Sequence, residues 1–310
     1  MPMATPSDPA GKPRALITGL RGFTGHILSL ELQAAGYQVF GTVHGTDTHG
    51  PDAYAVDLCD RLRLKEVISE VQPDIVAHLA AISFVAHGDA EAIYRVNVLG
   101  TRHLLESLAS LEKRPRAVLL ASSANIYGNT RTEIISELEP AMPANDYGVS
   151  KLAMEHVARL WMDQLPIIIT RPFNYTGVGQ SENFLLPKIV SHFRRKARHI
   201  ELGNLDVARD FSDVRMVAQA YARLLELAPA GQTFNICSGT CYTLRQIISM
   251  AETLAGYEID VRVNPAFVRA NEVHKLMGDP SKLEQYIGEL PAIPLRDTLA
   301  WMLNAESVPV

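Results

Sequence analysis

Residues 14–36, RALITGLRGFTGHILSLELQAAG, run from a short apolar stretch through closely spaced glycines into a helical pattern, and residues 37–43, YQVFGTV, add a second apolar run. A strand, a glycine-rich turn, a helix and another strand in so short a span form a βαβ unit. In the turn, Gly19, Gly22 and Gly25 recur at every third position. Glycine there permits the tight turn and lets the backbone approach a pyrophosphate, while the helix N-terminus supplies unbonded N–H groups and a positive dipole end. The turn reads as a dinucleotide site, with Arg21 and Phe23 inside it.

The alternation continues outward through ISEVQPDIVAHLAA (68–81), a helix over Val96 to Leu111, RAVLLASS (116–123), a helix from about Tyr147 and PIIITRPF (166–173). Continuous Val/Ile/Leu runs between helices imply a parallel sheet covered on both faces. The expected class is α/β, a Rossmann-type doubly wound parallel sheet with a smaller, interleaved C-terminal substrate domain. Beyond Arg171 the alternation weakens, then DVRMVAQAYARLLELA (213–228) and QTFNICSG (232–239) read as a helix and strand rejoining the sheet. The expected division is 13–172 with 211–238 for the dinucleotide domain, and 173–210 with 239–305 for the substrate domain.

Bulk properties narrow the partners. The chain of 310 residues is 47% hydrophobic and 20% charged, with a formal net charge of -5, so nothing favours nucleic acid or a membrane surface. Cys59, Cys237 and Cys241 are too few and too scattered for a disulfide framework or a zinc site, which suits a reducing cytoplasm. No histidine pair at ligand spacing has a third ligand behind it, so no metal is expected. No apolar run reaches membrane-span length, and the proline-bearing start reads as a loose tail rather than a signal peptide.

Where the second strand ends, a carboxylate commonly receives the ribose 2′-hydroxyl, but here Val43 is followed by His44. With no acid to repel a 2′-phosphate, and with Arg21 and His44 nearby, the pattern favours NADP(H) over NAD(H). Asp57 and Leu58 follow a short apolar run and suit the adenine edge. Leu79, Ala80 and Ala81 close the next strand with small residues that let backbone approach the cofactor.

Tyr147 and Lys151, four apart in DYGVSKLAMEHVARLW (146–161), share one helix face. A lysine ammonium so placed stabilises phenolate and is expected to lower the tyrosine pKa toward neutrality, making a general acid or base. Ser123, at a strand end where ligands of open parallel sheets bind, supplies a hydroxyl for the reacting oxygen. Ser83, in the loop after the preceding strand, is a further candidate for sugar oxygens.

GLRGFTG (19–25), SSANIYG (122–128), YGVSK (147–151) and RPFN (171–174), in this order, resemble the extended short-chain dehydrogenase/reductase family over nearly the whole chain. The resemblance implies catalysis by Ser123, Tyr147 and Lys151, cofactor contacts from the last two, a nucleotide-diphosphate-sugar substrate, and a homodimer through two helices per subunit. The helices near Val96–Leu111 and Tyr147–Leu160 are the candidates. Dehydratases of the family carry an acid pair after the position of Ser123; Ala124 and Asn125 stand there and cannot act as general acids or bases.

LGNLDVARDFSDV (202–214), FNICSG (234–239) and VRANEVHKLMGDPSKL (268–283) resemble the group acting on GDP-mannose derivatives. The likeness assigns the diphosphate to Arg209 and Arg269, the sugar or its phosphate to Asn174, and the nucleoside ribose to Glu272. Ala270-Asn271 departs from the group's usual pattern. The expected reaction is NADP(H)-dependent reduction of the C4 ketone of a GDP-4-keto-6-deoxyhexose, to GDP-D-rhamnose or GDP-6-deoxy-D-talose. A 4-epimerase holding NAD tightly is the alternative, and a non-catalytic dinucleotide-binding redox sensor is a third reading.

Overall fold

The structure is a computed structural model that describes residues 11–45, 52–83, 88–265 and 275–305. The first half alternates strand and helix: β1 (Arg14–Thr18), α1 (Phe23–Ala34), β2 (Gln38–Val43), β3 (Ala53–Ala55), α2 (Arg61–Val71), β4 (Ile75–His78), α3 (Ala90–Tyr94), α4 (Thr101–Ala109), β5 (Ala117–Ala121), α5 (Asp146–Arg159) and β6 (Ile167–Pro172). The second half comprises β7 (Asn174–Thr176), α6 (Leu185–Arg194), β8 (His199–Leu202), β9 (Ala208–Asp213), α7 (Val214–Leu227), β10 (Thr233–Ile236), β11 (Cys241–Thr243), α8 (Leu244–Ala255), β12 (Asp260–Val263), β13 (Lys275–Leu276), α9 (Ser281–Ile287) and α10 (Leu295–Asn304).

Seven strands form one parallel sheet in the order β10-β6-β5-β4-β1-β2-β3, a Rossmann-type arrangement. The central strands are mostly apolar because both faces are covered. Leu28 and Leu32 of α1 pack on one face with Val217, Tyr221 and Leu224 of α7. Leu64 and Val67 of α2, Leu104 and Leu108 of α4 and Met154 of α5 cover the other. The strand order reverses between β1 and β4, opening a crevice at their carboxyl ends where ligands of such sheets bind.

A second sheet pairs β9 with β7, β11 and β13, and α6, α8 and α10 enclose a separate apolar core around Ile189, Ile247 and Leu299. α7 leads from β9 back under the large sheet, where β10 pairs with β6. Among the described residues no helix is long and apolar enough to cross a membrane.

The helix expected over Val96–Leu111 is present, unbroken to Ala109, but its winding changes at the start. Arg95–Gly100 forms a wide π turn before α4 begins. Two contacts account for it: Asn97 turns inward to bond both backbone groups of Ile82, and a Cβ at Gly100 would lie 2.9 Å from Leu58 Cβ. Such turns arise where side chains interrupt the regular ladder.

Candidate active site

Backbone geometry explains the glycine turn. Gly19 has φ +75°, and a Cβ on Gly25 would stand 2.2 Å from the Gly19 carbonyl oxygen. Any side chain at Gly25 would therefore push the turn away from α1. Gly22, the residue before α1, contributes no side-chain acceptor, and α1 has no acid in its first turn, so its leading N–H groups face the crevice as an anion site. This is a cradle that fits the pyrophosphate of a nicotinamide dinucleotide.

The neighbouring floor is held by a buried histidine. Thr101 donates to the Asn97 carbonyl at 2.7 Å, so its oxygen accepts from His78 Nε2 at 2.8 Å. His78 Nδ1 is then the acceptor for the Thr18 hydroxyl at 2.7 Å, and Thr18 accepts from the N–H groups of Leu79 and Ala80, each at 3.2 Å. Burial, with the charge of Lys151 adding to it, depresses His78 to about 3. It therefore stays neutral and ties the ends of β1 and β4 together.

One cleft of 2190 Å³ runs from this turn across the strand ends to the second sheet. A typical site of about 300–1,000 Å³ holds one ligand, so this cleft has room for a dinucleotide and a nucleotide sugar. Gly19, Arg21, Gly22, Phe23 and Gly25 line it beside the exposed His44. Asp57, Leu58, Leu79, Ala80 and Ala81 line the same end. Asp57 also receives the Cys59 N–H at 2.8 Å, and Tyr175 stacks on Phe23 at 5.9 Å while its hydroxyl meets Thr24 at 2.8 Å.

Ser123, Tyr147 and Lys151 meet at the carboxyl end of β5 and line the cleft. Asn145 caps α5 by accepting from Gly148 N–H at 2.8 Å, which starts the helix so that Tyr147 and Lys151 face inward. Lys151 Nζ donates to the Ala121 carbonyl at 2.8 Å and lies 5.9 Å from the Tyr147 ring centre. Burial pushes Lys151 down to about 8, opposed by Glu155. Tyr147 departs from the expected direction: burial raises its pKa, Ser123 opposes this by a hydrogen bond, and Tyr175 adds to the rise. Desolvation of the phenolate is the largest cause.

Several partners of these groups were not apparent from spacing. Glu155, one turn beyond Lys151, is fully buried and paired two-pronged with Arg171 of β6 at 2.9 and 2.8 Å. Arg171 also donates to Tyr127 at 3.0 Å, and Tyr127 to Asn235 at 2.7 Å. Asn97 bonds Ser150 at 3.0 Å besides Ile82, linking the loop of Ser83 to α5. A buried acid at i+8 from a reactive tyrosine and an arginine in a strand were the available signals.

Toward the second sheet, Ser83, Asn174 and Arg209 all line the cleft. Ser83 is exposed, Asn174 Nδ2 reaches the Asp210 carbonyl at 3.4 Å, and Arg209 Nη1 donates to the Ala208 carbonyl at 2.9 Å. The Asp210 carboxylate accepts from Ser238 N and Oγ at 2.9 and 2.7 Å and from Gly239 N at 2.9 Å. Arg269 and Glu272 lie outside the described residues. Lys188 of α6, which sequence reading passed over, also lines the cleft and donates to the Glu201 carbonyl at 3.0 Å.

Comparison with known proteins agrees with this geometry. A family model described as GDP-mannose 4,6 dehydratase matches residues 16–302. GDP-6-deoxy-D-talose 4-dehydrogenase of Aggregatibacter actinomycetemcomitans is 36% identical, over 89% of this chain and 91% of its own. GDP-6-deoxy-D-mannose reductase of Pseudomonas aeruginosa is 32% identical, over 94% and 96%. Among solved structures, a Burkholderia cenocepacia J2315 protein assigned provisionally as an epimerase is 51% identical with TM-score 0.89, covering 95% of this chain and 98% of that one. The RMD protein of Pseudomonas aeruginosa in complex with NADPH is 30% identical with TM-score 0.83, covering 94% and 97%. The chain is therefore an enzyme of the extended short-chain dehydrogenase/reductase type and belongs to the GDP-mannose 4,6-dehydratase family.

Proposed function

We propose that the protein reduces the C4 ketone of a GDP-4-keto-6-deoxyhexose with NADP(H), giving GDP-D-rhamnose or its C4 epimer GDP-6-deoxy-D-talose. The observation that carries this is the gathering of Ser123, Tyr147 and Lys151 at the end of β5, in one cleft with the glycine turn and with no carboxylate at positions 124 and 125. The names of the talose dehydrogenase and the mannose reductase support the substrate class, and the NADPH complex supports the cofactor.

When bound, the nicotinamide supplies hydride to the sugar carbon. Tyr147, protonated at neutral pH because its phenolate is desolvated, gives its proton to the developing C4 alkoxide. Ser123 holds that oxygen, and Lys151 places its ammonium beside the phenol as charge builds. Arg209, Asn174 and Ser83 hold the sugar and diphosphate on the opposite wall, with Arg269 and Glu272 assigned by likeness, so that remote binding fixes the ketone in a reactive pose. Arg21 and His44 would hold the 2′-phosphate, Asp57 and Leu58 the adenine, and Leu79 to Ala81 the phosphates or ribose.

The enzyme is proposed to be a cytoplasmic homodimer, paired through the helices near Val96–Leu111 and Tyr147–Leu160, where Leu99, Val149 and Leu160 are exposed. A 4-epimerase remains the second reading, favoured by the Burkholderia neighbour. Incubation with GDP-4-keto-6-deoxymannose separates the two. Stoichiometric NADPH oxidation supports reduction; interconversion of intact nucleotide sugars without added cofactor contradicts it.

A further inference from the structure

We infer that Asn125 is a positioning residue that, by donating two hydrogen bonds to Ser123, directs the serine proton toward the reacting sugar oxygen. The inference rests on the reading of Ser123 and Tyr147 as the reacting pair, and deepens it.

A serine hydroxyl has one proton to donate and two lone pairs to accept with. Ser123 Oγ receives the Asn125 backbone N–H at 3.1 Å and the Asn125 side-chain Nδ2 at 3.1 Å. Both lone pairs are then engaged by the turn that follows β5, and the O–H is left for the cleft. Ser123 and Tyr147 line the cleft together, and the serine opposes the rise of the tyrosine pKa.

The surroundings keep this arrangement rigid. Ser123 begins a single 3₁₀ turn over Ala124–Tyr127, and its extended backbone lets the side chain fold back over that turn. The turn lies directly against α5: a Cβ on Gly148 would stand 2.7 Å from the Asn125 carbonyl oxygen, so only glycine after Tyr147 allows this approach. Asn125 itself is half-buried and lines the cleft, close enough to the reacting centre for its polarity to matter.

The consequence concerns the choice of residue. A carboxylate at this position accepts hydrogen bonds and cannot donate them when ionised. It would compete with the sugar oxygen for the serine proton, turning Ser123 away from its task. An amide donates in every protonation state of the site. Asn125 thus does more than omit an acid: it fixes the polarity of the hydrogen-bond chain that a ketone reductase needs.

The test compares wild type with Asn125→Asp, Asn125→Ala and Tyr147→Phe, measuring kcat, KM, NADPH affinity and melting temperature across pH with the 4-keto sugar. Asn125→Asp is expected to keep the fold and the NADPH affinity but to lose about 100-fold in kcat at neutral pH, with little change in KM. Its rate should recover as the pH falls into the carboxyl range, where the protonated side chain can donate again. Asn125→Ala, which keeps the backbone donor, should lose less. An Asn125→Asp variant as fast as wild type at every pH would mean that Asn125 accepts from Ser123, and overturns the inference. So does a loss that is uniform in pH and accompanied by weaker NADPH binding. A Tyr147→Phe variant that stays active, or a wild type that ignores the sugar, overturns the underlying reading and this inference with it.

Discussion

Tyr147 lies where releasing a proton is made harder, not easier. Spacing alone suggested that Lys151 would draw the phenol toward neutrality, because an ammonium nearby favours phenolate. Spacing cannot weigh desolvation, and in the folded protein burial acts on both groups. It raises the tyrosine and lowers Lys151 to about 8. A tyrosine that remains protonated suits delivery of a proton to an alkoxide, and a lysine that discharges near pH 8 limits it. The reductive rate should therefore fall as pH rises through about 8, and a Lys151→Met variant should show no such limb in its residual rate. His78 gives a stability prediction with a definite sign. Its folded pKa of about 3 lies below the ordinary 6.5, so the unfolded chain binds the extra proton between those values. Stability from this residue is complete above pH 6.5 and is lost as pH falls toward 3. The slope is about 1.4 kcal/mol per pH unit for one proton. Denaturant titrations of His78→Gln should lack that slope; an identical acid profile would remove His78 from the account.

On α5, Tyr147, Lys151 and Glu155 fall at successive turns on one buried face. The first two were legible because a Tyr-x-x-x-Lys pair after a glycine turn has a chemical meaning. Glu155 was not, because its meaning comes from Arg171 on β6, and pairing across elements leaves no local pattern. Removing one member of such a pair strands a buried charge, whereas replacing both by apolar groups is commonly neutral. Arg171→Met alone should cost about 3–5 kcal/mol, and Arg171→Met with Glu155→Met should recover most of it in the same urea titration. Equal losses in the single and double variants would show that shape, not charge, matters there. The π turn before α4 was illegible for a similar reason. The apolar spacing of 96–111 is helical, but Asn97 bonds a loop fifteen residues earlier in the chain. The strands were easier, since β1, β4, β5 and β6 are apolar runs that no other element explains.

At the scale of the molecule, the parallel sheet was legible from alternation, while the strand pairing of the second unit was not, because its strands are short and paired out of order. β9, β11 and β13 join segments up to 68 residues apart, and Asp210 fastens them by accepting from Ser238, Gly239 and, at 3.4 Å, Gly278. The exposed Leu99, Val149 and Leu160 lie along the helices assigned to the subunit contact. Leu160→Glu with Leu99→Glu should give a monomer in light scattering after size exclusion, and an unchanged dimer would move the interface elsewhere. The cleft joins both units, so its ligands should also hold them together. A dinucleotide at 100 times its Kd should add about 2.7 kcal/mol to unfolding stability. The most direct measurement is the loss of NADPH absorbance when the protein meets GDP-4-keto-6-deoxymannose, with Tyr147→Phe and NADH alongside. The account predicts one NADPH consumed per ketone reduced, faster than with NADH and abolished in the variant. Sugar interconversion with no cofactor consumed, or a variant as active as wild type, would contradict it.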